Sequence, residues 1–353
     1  MTAARPMSLA GVLKGAAVGT QAQSKNPTSV GGVMPLIGWH ASHEQIAPSR
    51  LLADVRLAEA AGFEAAWSSD HFAPWSQRQG QSGFAFSWLG AAMATTSLPF
   101  GVVNAPGQRY HPAIVAQAIA TLAEMFPGRL SVALGSGEFM NEHITGDPWP
   151  DKAVRNARLR ECVDVIRALL AGDSVTHNGL VRLDRAQLWT LPEQQPRLLA
   201  TAVSEATARW AGEWADGLVT IWQPPETLRR LVDGFRENGG DGKPLALQIH
   251  LSWAPDEAEA LQIAYDQWRT NVFEAPLSWD VPTAEEFDQA AKHVRPEDMH
   301  GSVLISSDPA RFLDCLRGIA DLGFDEIYVH HVGQQQRDFV EWFGEHVLPG
   351  LRE

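Results

Sequence analysis

Residues 63–75, FEAAWSSDHFAPW, decide the fold. They begin as a short apolar run and end in Ser68, Ser69, Asp70 and His71, with Trp75 close behind. A strand that only filled a core would not end in proton-carrying side chains, so this one runs out at a working surface. Outward from it, similar runs recur at 35–40, 65–69, 100–104, 130–135, 198–202, 217–221, 245–251 and 326–331. Segments of helical period separate them, at 49–61, 112–125, 156–171, 204–214, 225–238, 256–271, 309–322 and 338–347. This alternation marks repeated βα units around a parallel sheet, and eight such units are what a closed (β/α)8 TIM barrel requires. Ser49, Ser204, Asp256 and Asp308 are the expected helix caps. Two longer stretches interrupt the repeat, a hairpin at 172–189 with Asn178-Gly179 as its turn, and an insertion at 273–301 before the last unit.

The chain has 353 residues, a length that one barrel with insertions accommodates. A hydrophobic share of 45% beside 20% charged residues is that of a globular protein. A formal net charge of -14 with no basic run excludes nucleic acid as a main partner, because a phosphate backbone rewards clustered Lys and Arg. Cys162 and Cys315, the only cysteines, lie in apparent helices without metal or redox spacing, which implies no disulfide framework and a cytoplasmic setting. No run approaches the roughly 18 apolar residues of a membrane span, so no membrane partner is expected. Residues 1–33, rich in Gly, Ala, Ser and Thr, are read as a flexible or loosely docked arm rather than a secretory signal, since Lys14 breaks their one apolar stretch. The barrel domain is then 34–353.

In a barrel the chemistry sits at the carboxyl ends of the strands. The first four ends carry His40 to Glu44, Ser69 to Trp75, Val102 to Pro106, and Gly135 to Glu142. His71 is the candidate proton carrier, because imidazole titrates near neutral pH, and Trp75 could wall a pocket for a flat ligand. Glu138 follows Gly135-Ser136-Gly137, which lets backbone approach a ligand closely, although a Glu favoured by a helix dipole explains the position as well. Met140 stands where a third glycine would complete G-x-G-x-x-G, so a dinucleotide fold fails, and no G-x-S-x-G, H-E-x-x-H or P-loop occurs. A metal site from His40, His43, Asp70, His330 and His331 is set aside, since it lacks the spacing of barrel hydrolases.

Ala41 to Pro48, Ser69 to Trp75, Arg109-Tyr110-His111-Pro112, Gly135 to Glu138 with Asn141-Glu142, and Ala215-Asp216-Gly217 resemble the bacterial luciferase-like flavin and deazaflavin oxidoreductases. The likeness covers about residues 34–350 and leans to the branch of the coenzyme F420-dependent glucose-6-phosphate dehydrogenases. It implies that His71 handles the substrate hydroxyl proton, with Trp75 at the reacting centre, Glu138 on the cofactor ring and Glu44 as a second pocket carboxylate. It further implies cofactor contacts from Asp70, Val102, Val103, Asn104, Ser136, Gly137 and Asn141. Val102-Val103 falls where the family places a bulge with a non-proline cis peptide. Thr201, Ala202, Val203 and Ser204 would receive the cofactor phosphate.

The departures matter too. Pro224 and Ser302 stand where the branch grips a sugar phosphate with cations, which speaks against glucose 6-phosphate, and Trp222, Trp253 and Trp279 suggest a more apolar substrate. Thr201 and Val203 replace smaller residues in the phosphate loop, so either F420 or flavin mononucleotide (FMN) is implied. With F420 the chain would move hydride to and from a small alcohol or carbonyl compound. With FMN it could be a two-component monooxygenase fed by a flavin reductase, and a silent flavin-binding protein is the remaining class. A homodimer is expected from the resemblance alone.

Overall fold

The computed structural model describes residues 34–352; the arm read at 1–33 lies outside them. The strands are β1 (Leu36–Ala41), β2 (Ala65–Ser69), β3 (Phe100–Asn104), β4 (Leu130–Leu134), β5 (Val175–Asn178), β6 (Arg182–Ala186), β7 (Arg197–Thr201), β8 (Leu218–Ile221), β9 (Leu245–Ser252), β10 (Leu304–Ile305) and β11 (Glu326–His331). Parallel pairing runs β9-β11-β1-β2-β3-β4-β7-β8, and β8 pairs back onto β9, which closes an eight-stranded barrel. The short β10 adds to the end of β9, with Leu304 opposite Leu251, and the antiparallel pair β5-β6 stands outside the ring.

Side chains alternate between two cores, as strand geometry demands. One set fills the barrel, where Trp67 packs at 4.9 Å on Tyr328 together with Leu199, Val219 and Ala246. Trp67 lies so close over β3 that a Cβ at Gly101 would come within 1.7 Å of its ring, so glycine is required there. The other set, including Val102, Val132 and Leu198, meets the surrounding helices. These plugs close the barrel and leave its carboxyl-end rim to carry chemistry.

Helices form where expected at Pro48–Ala61, Pro112–Met125, Lys152–Leu170, Glu205–Gly212, Pro225–Phe235, Glu257–Trp268, Pro309–Ala320 and Gln336–His346. Ser204, Asp256 and Asp308 cap theirs through side-chain oxygens that accept backbone N–H bonds. Ser49 does not, because Pro48 takes the first helical position and Ala47 precedes it. A further helix, Ala85–Thr95, escaped the reading: it is apolar almost all round, carries Gly90 and has no side-chain cap, so neither period nor cap marks it. In the outer hairpin Asn178 pairs with Arg182, so the turn is the three residues 179–181 rather than Asn178-Gly179.

The expected irregularity at Val102-Val103 is corrected. Ser68 and Ser69 pair with Val102 and Val103 on one side, Val132 and Ala133 on the other, and this unbroken register has no room for an extra residue. Among the described residues the one cis peptide is Ala275-Pro276. No helix of the described residues is long and apolar enough to cross a membrane.

Candidate active site

The first four strand ends bring their polar residues to one rim. After β1 the chain turns through residues 42–46, and Ser42 Oγ donates to Glu44 Oε2 at 2.9 Å, fixing a buried carboxylate. After β2, Asp70 N donates to Val103 O, which extends the ladder by one bond and aims the next residue, His71, across at Glu44. His71 Nδ1 lies 2.5 Å from Glu44 Oε1, a short charge-assisted bond. On the other side of the ring, Nε2 is 3.7 Å from Glu138 Oε2, beyond hydrogen-bonding range. The side chain is 17% exposed, so Nε2 is the nitrogen left for a ligand.

Burial alone would drive the imidazolium to lose its proton. The adjacent Glu44 carboxylate and its hydrogen bond outweigh that, with Glu138 adding, and hold His71 up at about 9. Burial would raise the Glu44 carboxyl, but the His71 cation overrides it and holds Glu44 at about 2. Glu138 is pushed upward, chiefly by burial, against the pull of His71. The rim thus pairs a charged His71 and Glu44 with a carboxyl that takes a proton more readily.

Glu138 occupies the N-cap of the short helix Phe139–Glu142, yet its side chain makes no cap bond. Its Oε2 instead accepts from Asn141 Nδ2 at 3.1 Å, while Asn141 Oδ1 accepts from Phe72 N at 2.8 Å and Ala73 N at 3.3 Å. Glu138 thus stands at a helix N-terminus as the dipole reading has it, with its carboxylate held by Asn141 rather than by a cap bond. Asn141, expected at the cofactor, is a buried clip that ties the loop after His71 to the carboxylate.

Asp70 and Asn104 meet at the ends of β2 and β3, where Asn104 Nδ2 donates to Asp70 Oδ2 at 2.9 Å. Asp70 Oδ1 and Asn104 Oδ1 stay buried without a donor. Arg109 braces the pair, donating from Nη2 to Asp70 O at 2.7 Å, and its backbone N donates to Glu142 Oε2 at 2.7 Å. Ser136 and Gly137 are half-buried on the same rim, Gly137 with φ of 83° that favours glycine. Thr201 comes close to Gly135, whose Cβ would sit 2.7 Å from Thr201 Oγ1, and half-buried Val203 leads to Ser204, the exposed cap of the next helix.

The side chains of Val102 and Ala202 point into the helix-facing core, so any contact they make at the rim is through backbone, while Val103 approaches the rim from inside the barrel. Trp253 stacks on Trp342 at 4.6 Å in that same outer core and is no pocket wall. Trp222 packs partly buried against it.

Trp75 stands edge-on to His71 with centroids 5.4 Å apart, and edge-on to Phe287 at 5.6 Å. Phe287 belongs to the late insertion, which is latched to the early loop by Ser76 Oγ donating to Asp288 Oδ1 at 2.8 Å and by the Arg78–Asp288 ion pair at 2.6 Å. Residues 273–301 therefore wall the site. Phe287 and Asp288 carry no local mark in the sequence that could have revealed this. Among the described residues no group of three or more His, Cys, Asp or Glu is placed to hold a metal ion.

The sequence model of the luciferase-like monooxygenase family matches residues 30–326. An F420-dependent glucose-6-phosphate dehydrogenase of Beutenbergia cavernae is 36% identical over 327 residues, covering 90% of this chain and 97% of that one. Among solved structures, an F420-dependent secondary alcohol dehydrogenase in complex with an F420-acetone adduct superposes with a TM-score of 0.83 at 30% identity, over 91% of this chain and 100% of that one. A monooxygenase from Streptomyces bottropensis, 19% identical with a TM-score of 0.68 over 89% of this chain and 98% of that one, shares the fold.

Proposed function

The chain belongs to the luciferase-like monooxygenase family, and from that premise we propose that it moves hydride between coenzyme F420 and the carbon of a small alcohol or carbonyl compound. It is an F420-dependent oxidoreductase of the luciferase-like class. The observation that carries the finer reading is His71, held charged by Glu44 with Nε2 turned to the rim beside Trp75 and Glu138.

The residues present fit the cofactor. Asp70 Oδ1 and Asn104 Oδ1 are adjacent buried acceptors lacking donors, and F420 brings ring N–H and ribityl O–H groups that would supply them. When bound, F420 supplies two-electron hydride acceptance and donation. In carbonyl reduction the proton on His71 Nε2 passes to the substrate oxygen; in alcohol oxidation His71 must first lose that proton and then takes one from the hydroxyl. Glu44 holds the ring orientation through Nδ1 in both directions. Asn141 holds Glu138, whose upward-shifted carboxyl can offset charge at the rim, and the latched insertion with Phe287 and Trp75 keeps water from the reacting atoms.

The FMN monooxygenase reading has less support, since the S. bottropensis monooxygenase shares the fold at 19% identity whereas the F420-named relatives reach 30% and 36%. The expectation against glucose 6-phosphate gains nothing from the comparisons, because the B. cavernae relative carries that substrate in its name. Its remaining basis is Pro224 and Ser302, neither able to supply a cation, so glucose 6-phosphate stays in the substrate panel. A homodimer, which rests on the resemblance, and a cytoplasmic location, which rests on two cysteines without disulfide or metal spacing, complete the proposal.

Apoprotein titrated in parallel with F420 and FMN, followed by tryptophan fluorescence, tests the reading. Tight binding of F420, and loss of its absorbance with a secondary alcohol or glucose 6-phosphate under anaerobic conditions, is expected. Binding of FMN alone, with oxygen uptake, would overturn it.

A further inference from the structure

We propose that a cavity between Trp149 and Trp279 is an oxyanion subsite, in which Lys152 and Arg155 take a carboxylate or phosphate carried by the substrate or by the side chain of the cofactor. The cavity measures about 420 Å³ and lies between the first turn of the helix Lys152–Leu170 and the insertion at 275–280. Lys152 Nζ donates to Ser136 Oγ at 2.7 Å, two residues from Glu138, so this cavity shares a wall with the rim that carries His71.

The cations have not been neutralised. Arg155 is only 5% exposed, sits over the Trp149 ring at 4.2 Å, donates from Nη1 to Pro150 O, and leaves Nε buried without an acceptor. Lys152 sits 4.9 Å over the Trp279 ring. Among the described residues neither forms an ion pair within 4.0 Å, whereas the other enclosed cation of the rim, Arg109, reaches both Asp70 and Glu142. A buried cation without a counter-charge is costly, and an anionic ligand removes that cost. Two acids border the cavity, Asp151 and Asp280, but both are exposed, and Asp280 Oδ1 already accepts from Trp149 Nε1 at 2.9 Å. Water screens them, and Glu138, a third acid, which acts on Lys152, is pushed by burial toward its neutral form, so the wall formed by buried Arg155 and half-buried Lys152 is positive. Burial also pulls the Lys152 pKa downward, the direction that a bound anion would reverse. The two indole faces suit an oxyanion attached to a flat or apolar group.

This subsite would hold an anionic substrate without cations at Pro224 and Ser302. The choice of ligand source rests on the F420 reading; the anion binding itself does not. Apoprotein is titrated with inorganic phosphate and with benzoate, reading the fluorescence of Trp149 and Trp279, in the wild type, Lys152→Met, Arg155→Met and Lys152→Arg, with thermal unfolding as the check on folding. Lys152→Met should weaken both anions at least tenfold, and Lys152→Arg should restore them. The same proteins are titrated with F420 and with its chromophore lacking the phosphate and glutamate tail. Loss of affinity for F420 but not for the tailless form assigns the oxyanion to the cofactor, and equal retention of both, with phosphate binding lost, assigns it to the substrate. A folded Lys152→Met protein that binds phosphate, benzoate and F420 like the wild type overturns the proposal. Wild type that binds neither form of the deazaflavin sinks the functional reading instead and leaves the anion titrations to be judged alone.

Discussion

Glu44 and Gln45 are neighbours in sequence and each holds a histidine, half-buried His71 and buried His330, with opposite results. Glu44 meets His71 Nδ1 and keeps that ring charged to about pH 9. Gln45 Oε1 accepts from His330 Nε2 at 3.1 Å, Gln248 Nε2 donates to its Nδ1 at 3.2 Å, and His40 stacks on it at 4.5 Å. His330 is held well below its ordinary value, first by burial and then by the neighbouring histidines, and burial likewise holds His40 and His331 at about 3. Burial makes histidine neutral by default, and one carboxylate in contact reverses it. On β9, His250 packs on His330 at 5.3 Å and burial holds it at about 4, so the barrel keeps an inert histidine layer at β1, β9 and β11 beside a proton carrier just past the end of β2.

Removing the carrier is the largest way to break this contrast. His71→Ala should lower turnover by about two to four orders of magnitude while leaving F420 affinity nearly unchanged. Steady-state kinetics beside fluorescence titration measure both, and unchanged turnover would remove His71 from the mechanism. Converting one environment into the other comes next. Glu44→Gln should let burial prevail and shift the alkaline limit of carbonyl reduction downward by at least about two pH units. A pH profile matching the wild type would show that Glu44 does not set the His71 charge.

The fold was legible wherever burial on both faces wrote a short apolar run that ends in polar residues, as at β2, β3 and β11, whose bounds match the reading. Ala85–Thr95 was not, because an all-round apolar helix has no period to read. His71 and Glu138 were visible as polar residues at strand ends, and Glu44 through resemblance. Their pairing was invisible, since 27 residues separate Glu44 from His71 and nothing local couples them. Lys152 and Arg155 fall just before the helix expected at 156–171 and carry no local mark, and Trp279, more than a hundred residues away, turns them into a cavity wall. Trp253 misled because an indole serves a core as readily as a pocket.

Two smaller effects sharpen the comparison. Asn141→Ala should leave the Phe72 and Ala73 N–H groups without their acceptor and destabilise the protein by about 2 kcal/mol, read from denaturant midpoints. A midpoint equal to wild type would remove the clip from the account.

The two histidine environments also titrate stability with opposite sign. His40 and His331 fall to about 3 in the folded state, so the unfolded chain binds their protons first. Each removes up to about 1.4 kcal/mol of stability per pH unit as pH drops below 6.5. His71 is raised, so its contribution is full below 6.5 and lost as pH climbs through about 9; Glu44 is lowered, so its share is full above 4.5 and lost as pH falls toward about 2. His331→Gln should flatten the acid limb of thermal stability and leave the alkaline limb in place. An acid limb as steep as in the wild type would contradict the neutral assignment.

The most direct test of the central claim is a histidine NMR titration of the apoprotein from pH 5 to 10, with His71 assigned by its absence in His71→Asn. The account predicts one imidazole titrating near 9, which moves below 6.5 in Glu44→Gln. A His71 that titrates at or below 6.5 in the wild type would contradict it.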